Sequence, residues 1–228
     1  MGNIAENLKR TRDRIHAAEQ EFGRRHDSVK LLAVSKARPV EMIRQAVIAG
    51  QREFGENYVQ EAVPKIQALR DENLIWHFIG PIQSNKTRLI AEYFDWVHSV
   101  DRIKVAHRLS ADRSADQPPL NICIQVNISA ESSKSGLKPV EAGALAREVA
   151  NLPGLRLRGL MVIPAAHKDL HTQRVPFHQT AELLQALNDT GLSLDTLSMG
   201  MSDDLEAAVA EGATMVRVGT AIFGARQS

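Results

Sequence analysis

The 228-residue sequence is short of cysteine, with Cys123 its only one. A lone thiol excludes an internal disulfide framework and a cysteine-rich metal centre. It suits a reducing compartment, so a cytoplasmic location is expected. A surplus of one charge is also missing: 28 lysines and arginines face 27 aspartates and glutamates, for a net charge of +1. Nucleic-acid binders and polybasic membrane proteins need excess cation, so neither kind of partner is expected. No apolar run approaches the ~18 residues of a membrane span. The N-terminus is charged by Glu6 and lacks the apolar stretch of an export signal. The eight histidines are scattered, so no metal site is expected. Neither of the glycine-rich nucleotide signatures is present.

What is there is a rhythm. Ile4, Leu8, Ile15, Ala18 and Phe22 share one stripe at helical spacing, and Gly23 is a fitting stop. Short apolar runs then alternate with amphipathic stretches. The runs are Leu31 to Val34, Glu53-Phe54, Ile75 to Ile79, Trp96 to Val100, Leu120 to Val126, Leu157 to Ile163, Leu194 to Ser198 and Met215 to Val218. The intervening helices include Pro39 to Ala49, Tyr58 to Leu69 and Phe177 to Asn188, and a short tail follows the last run. Eight strands alternating with helices predict an α/β fold: a single (β/α)8 TIM-type barrel over residues 1–228, with an extra N-terminal helix that plugs the bottom or covers the side. The charged run Arg10 to Arg14 reads as a solvated helix face. No exposed heptad or interface helix is evident, so a monomer is expected.

In such barrels the active face lies at the C-terminal ends of the strands. Lys36 directly follows the first run. A lysine there is partly desolvated, which frees its amine to attack a carbonyl; the alternative is a strand-end lysine paired with Glu56. Ser198-Met199-Gly200-Met201-Ser202 after the seventh run and Gly219-Thr220 after the eighth have the composition of a phosphate cradle, with glycines for close approach and hydroxyls for donors. Ser202 as a plain helix cap is the alternative. Asp203 and Asp204 would repel a dianion, so they are expected to point away. Arg217 lies in an apolar run and needs a partner, either a carboxylate or a ligand at the mouth. His77 reads as a satisfied buried histidine and Cys123 as core. Lysine plus phosphate cradle points to a phosphorylated carbonyl compound, a sugar phosphate or pyridoxal phosphate.

Longer motifs sharpen this. Ala33-Val34-Ser35-Lys36, Phe54-Gly55-Glu56-Asn57-Tyr58, His77-Phe78-Ile79-Gly80-Pro81-Ile82-Gln83-Ser84-Asn85-Lys86, Ser133-Lys134-Ser135-Gly136, Arg158-Gly159-Leu160-Met161, Ser198-Met199-Gly200-Met201-Ser202-Asp203-Asp204 and Val216-Arg217-Val218-Gly219-Thr220-Ala221-Ile222-Phe223-Gly224 resemble the pyridoxal-phosphate homeostasis proteins over essentially the whole chain. The resemblance implies a barrel like the N-terminal domain of alanine racemase. It implies pyridoxal 5′-phosphate as cofactor, held as a Schiff base on Lys36. Ser202, Gly219 and Thr220 match phosphate-binding positions, Arg217 the arginine near the pyridine nitrogen, and Asn57 and Met161 positions lining the ring. It implies a carrier and regulator of the cofactor that passes it to apo-enzymes, without established catalysis. An arginine at the ring nitrogen weakens the electron sink. Racemisation needs a second base, which alanine racemase takes from a further domain, and the tyrosines of this chain are Tyr58 and Tyr93. A weak amino-acid racemase is the competing reading, and a sugar-phosphate aldolase a third. Lys134, in a loop, is expected to assist exchange as a transient second amine, against the alternative of a solvated loop lysine.

Overall fold

The computed structural model describes residues 3–129, 131 and 135–225. Eight parallel strands close into a barrel in chain order: β1 (Lys30–Val34), β2 (Glu53–Glu56), β3 (Ile75–Phe78), β4 (Trp96–Val100), β5 (Leu120–Val126), β6 (Leu155–Val162), β7 (Thr196–Ser198) and β8 (Met215–Val218), with β8 pairing onto β1. The chain returns through α2 (Val40–Ile48), α3 (Val59–Ala68), α4 (Thr87–Tyr93), α5 (Ile103–Asp112), α6 (Ala142–Ala150), α7 (Leu170–Asp189) and α8 (Leu205–Ala210); α1 (Ile4–Glu21) precedes β1 and α9 (Thr220–Phe223) follows β8. Among the described residues, no helix is long and apolar enough to cross a membrane.

The strands are short and largely buried because both their faces are covered. Their outer faces meet the helices in one continuous apolar layer. The inner faces are mixed. Trp96, Cys123 and Met161 form a small apolar plug, and Arg158 stacks over Trp96 at 4.7 Å while binding Asp195 through two nitrogens. Burial pushes the Cys123 thiol up to about 12, so it stays protonated and serves as packing.

The N-terminal helix covers the side, packing on α2, α8 and α9. The Arg10 to Arg14 run is not simply a solvated face. Arg12 donates to the Ala49 carbonyl and to Gln51, and Arg14 grips Glu206 through two nitrogens and reaches the Ser202 carbonyl. Their stems lie along apolar surface while the guanidinium groups satisfy carbonyls at neighbouring helix ends. Element boundaries also differ from expectation: β6 begins two residues earlier, at Leu155, and β7 two residues later, at Thr196. Helix α7 begins at Leu170, not Phe177, because the Asp169 carboxylate accepts the Thr172 amide at 2.8 Å and caps the helix there. Pro176, which reads as a first-turn residue, falls inside it. The expected tail after β8 makes a helical turn, α9.

Candidate functional site

The strand order places most of the expected site residues on one arc of the mouth. β6, β7, β8, β1 and β2 are consecutive neighbours, and their ends carry Met161, the 198–204 loop, Gly219-Thr220, Lys36 and Asn57 in that order. β1 and β8 are tightly joined. A Cβ on Gly219 would lie 3.2 Å from the Val34 carbonyl oxygen, so the end of β8 runs against the end of β1. Lys36 is half-buried in the turn that follows Ser35. Ala37 after it has φ 56, a left-handed conformation that costs a non-glycine residue about 1–2 kcal/mol. The turn is therefore held by its surroundings rather than by its own preference.

What holds it is a buried ion pair. Glu56, at the end of β2, binds Lys65 Nζ at 2.8 Å and accepts the Ser35 hydroxyl at 2.6 Å. Lys65 also donates to the Ser35 carbonyl at 3.0 Å. The residue beside Lys36 is thus fixed through both its side chain and its backbone. Burial raises the Glu56 carboxyl above its ordinary value, and Lys65 opposes that rise. Removing the cation strands the carboxylate, so Lys65→Met is expected to cost about 3–5 kcal/mol at neutral pH. A carboxyl raised in the folded state contributes stability below its unfolded pKa of about 4.3 and loses it as pH rises through the folded value. The deficit of Lys65→Met should therefore be full at pH 8 and shrink towards pH 5. Denaturant midpoints at the two pH values check this; a small, pH-independent loss would contradict it.

The loop after β7 combines a cradle with an obstruction. Gly200 takes φ 93, and a Cβ there would meet the Ala208 Cβ at 2.5 Å, so only glycine lets α8 approach so closely. Ser202 is half-buried and does not cap α8, whose capping residue is Asp204. The expectation that both aspartates point away fails for Asp204. Its carboxylate accepts the Met201 amide at 2.5 Å, which satisfies a loop N–H and withdraws it from any anion. Burial raises the Asp204 carboxyl, while the Met201 amide and Arg217 oppose the rise. At the neighbouring loop, the Ile222 and Phe223 amides donate to the Gly219 carbonyl. The Thr220 and Ala221 amides precede these first intrahelical bonds, and Thr220 is exposed.

Arg217 is buried and, among the described residues, its hydrogen bonds go to neutral oxygens rather than a carboxylate. Nη1 donates to the Ser198 carbonyl at 2.5 Å and hydroxyl at 2.9 Å, and Nη2 to the Val162 carbonyl at 2.8 Å. Burial lowers its pKa to about 10, which leaves it charged at neutral pH. Below it runs a polar column that strand-end reasoning misses. Ser198 Oγ lies 2.8 Å from His98 Nδ1, His98 Nε2 2.9 Å from His77 Nδ1, and His77 Nε2 3.3 Å from Glu53 Oε2, with Lys30 on the other oxygen of Glu53. Arginine only donates, so Ser198 accepts from it. The two imidazoles continue the chain by hydrogen bonds, while at its far end His77 Nε2 and Glu53 Oε2 are buried without a hydrogen-bond partner among the described residues.

Burial pushes both imidazoles below the ordinary histidine range, His98 well below. The native state therefore keeps them neutral where the unfolded chain protonates them. Stability should fall as pH drops through about 6.5, the unfolded value. His98→Asn should flatten that acid limb, measured as denaturant midpoints from pH 8 to pH 5. An unchanged slope would mean the column does not titrate as described.

Asn57 is half-buried, and its Oδ1 is enclosed without a hydrogen-bond partner among the described residues. Gly80 is necessary beside it, since a Cβ there would lie 2.1 Å from the Asn57 carbonyl oxygen. Met161 faces the inner plug beside Trp96 and Cys123. Lys134 lies outside the described residues.

Comparison with known proteins finds relatives along nearly the whole chain. The alanine racemase N-terminal domain family matches residues 2–227. The chain is 59% identical over 226 residues to a pyridoxal phosphate homeostasis protein of Pseudomonas aeruginosa, covering 99% of this chain and 97% of that protein. It is 55% identical to the protein of the same name from Escherichia coli K12, covering 99% and 98%. Among solved structures it is similar to PipY of Synechococcus elongatus with PLP bound, at 39% identity and a TM-score of 0.83, covering 97% of this chain and all of that one.

Proposed function

Since the chain belongs to the alanine racemase N-terminal domain family and, within it, to the pyridoxal phosphate homeostasis proteins, we propose that it binds pyridoxal 5′-phosphate and stores and delivers that cofactor in the cytoplasm, as a single-domain monomer. The observation that carries the proposal is the adjacency of Lys36 and the Gly219-Thr220 turn on the tightly joined ends of β1 and β8. One supplies an amine and the other backbone amides and a hydroxyl, at neighbouring points of one rim.

The residues fit the group. The enclosed, unpartnered Oδ1 of Asn57 is what a ligand-facing acceptor looks like without its ligand. The described bonds of Arg217 use three of its five N–H groups, which leaves donors for a ring nitrogen. When bound, the cofactor supplies an aldehyde for imine formation and a conjugated ring for withdrawing electrons. In this reading Lys36 holds it as a Schiff base, formed with loss of water. Ser202, Gly219 and Thr220 hold the phosphate. Asn57 lines the ring, and Met161 supports it from the plug. Arg217, charged and fixed by Ser198 and the Val162 carbonyl, offers the ring nitrogen a donor rather than a transferable proton. That withholds the proton which would strengthen the ring as an electron acceptor, and it favours carriage over turnover.

The test follows transfer and exchange together. Cofactor-loaded protein is mixed with an apo-enzyme that needs pyridoxal phosphate, and recovered activity is timed against free cofactor. In parallel, amino acids are incubated with the protein in D2O and α-deuterium is measured. Transfer to the apo-enzyme without exchange above the free-cofactor rate is expected. A cofactor that never leaves under competition would sink the carrier reading. Sustained exchange would favour the weak racemase.

A further inference from the structure

We propose that His16, His26 and Asp27 form a binding site for a divalent transition metal of the zinc class, at the end of the barrel opposite Lys36. Asp27 precedes β1, and with His16 it borders a cleft of about 320 Å³ at the N-terminal ends of β1 and β2. His16 Nε2 lies 3.1 Å from Asp27 Oδ1, and His26 Nδ1 lies 3.0 Å from Asp27 Oδ2. One donor atom from each of the three residues falls within 4.8 Å of the others. Zinc bonds of ~2.0–2.1 Å at tetrahedral angles put neighbouring donors ~3.3 Å apart. The imidazoles meet different oxygens of Asp27, so sharing an ion requires the carboxylate to use both oxygens or the exposed side chains to turn together. Two imidazoles and one carboxylate suit zinc and its neighbours, and the exposure of His26 and Asp27 lets water take the remaining position.

The site is built rather than a chance meeting of surface groups. Asp27 has φ 58, a left-handed conformation that aspartate tolerates better than most non-glycine residues. The buried carboxylate of Glu19 holds the loop in it. Glu19 accepts the Asp27 amide at 3.1 Å, the Ser28 hydroxyl at 3.2 Å and the Val29 amide at 2.8 Å. His16 and Glu19 are three residues apart on α1 and so share a face. One helix turn therefore carries a ligand and also clamps the loop that carries the other two. Of the nearby cations, Lys30 is engaged with Glu53 and Arg12 and Arg52 with backbone carbonyls, whereas Arg25, which lines a cleft with Asp27, has no side-chain partner among the described residues. On binding, each imidazole turns its lone pair to the metal and keeps any proton on its other nitrogen. The sequence conceals the site because its histidines lie ten residues apart. The one i,i+4 histidine pair, His167 and His171, straddles the Asp169 cap of α7 instead of sharing a helix face.

Calorimetric titration of the full-length protein with Zn2+ tests this, with Co2+ absorption reporting the ligand set. One saturable equivalent is expected. His26→Gln and Asp27→Asn should each weaken it by about tenfold or more. His178→Gln, which disrupts another surface histidine–carboxylate group with Glu182 and Glu211, should leave it unchanged. Both ligand variants are exposed, and circular dichroism verifies their folding. Binding should persist in Lys36→Ala, which separates this site from the cofactor site. No saturable uptake by the parent protein, or equal uptake by the His26 and Asp27 variants, would overturn the proposal.

Discussion

Lys36→Ala should yield a folded protein that carries no yellow imine band and takes no label when pyridoxal phosphate and borohydride are added. The expected loss is complete, because the other amine at the end of β1, Lys65 Nζ, is buried and held by Glu56 and the Ser35 carbonyl. The protein should remain folded, with a loss of about 1 kcal/mol that is typical of a point substitution, since Lys36 is only half-buried. The structural work at this corner is done by Ser35, Glu56 and Lys65. Lys36→Arg separates charge from chemistry: it keeps the cation and cannot form the imine. If both variants lose the label while a phosphate-bearing analogue still binds, the amine and the anion cradle are separable parts of one site. A label that survives in Lys36→Ala and maps to another lysine would reassign the amine.

Gly159→Ala should remove the folded state almost entirely. A Cβ at this position in β6 would lie 1.8 Å from the Thr196 carbonyl oxygen and 2.7 Å from its carbonyl carbon. Both are backbone atoms of the adjacent strand, so no rotamer change relieves the contact. β6 and β7 would have to part, and β7 carries the Ser198 that receives Arg217. The β5–β6 register also shifts nearby, between Ile122 and Cys123, so the region has little freedom left. The cost should exceed the usual 1–3 kcal/mol of overpacking and reach about 5 kcal/mol, comparable to the whole stability of many domains. Gly191→Ala is the contrast. Its φ is 97 but nothing lies within 4 Å of the added carbon, so only a local backbone cost of about 1–2 kcal/mol is expected. Soluble yield and denaturant midpoints of the pair measure the difference. A Gly159 variant no worse than the Gly191 one would contradict the close packing of β6 on β7.

These two residues also show what a sequence exposes. The barrel is legible because each strand is an apolar run between helical stretches, and the rim residues are legible because they follow those runs. Lys36 and Gly219-Thr220 stand out for that reason alone. Gly159 does not, since its necessity comes from a strand 37 residues later in the chain. The inner column is half legible. Glu53, His77 and His98 lie on inward-alternating positions of successive strands, but only closure of the barrel brings Ser198 to them. Lys65 falls on the same α3 stripe as Ala62, a core position where a lysine signals a buried carboxylate partner. The cap at Asp169 outweighs the proline that suggests a later start for α7. Asp204 departs from expectation because a short loop needs its amide satisfied more than it needs its carboxylate displaced.

The ring of strands has a consequence for company as well as for chemistry. β8 pairs with β1, so each of the eight strands already has two neighbours and the sheet has no open edge. A client protein cannot dock by lending a strand, and partly folded chains cannot use the native sheet as a template for stacking. Any protein that approaches this one must read loops, helix faces and side chains. The rim around Lys36 is made of such loops, so under the proposed function a recipient of the cofactor would read the same loops that hold it.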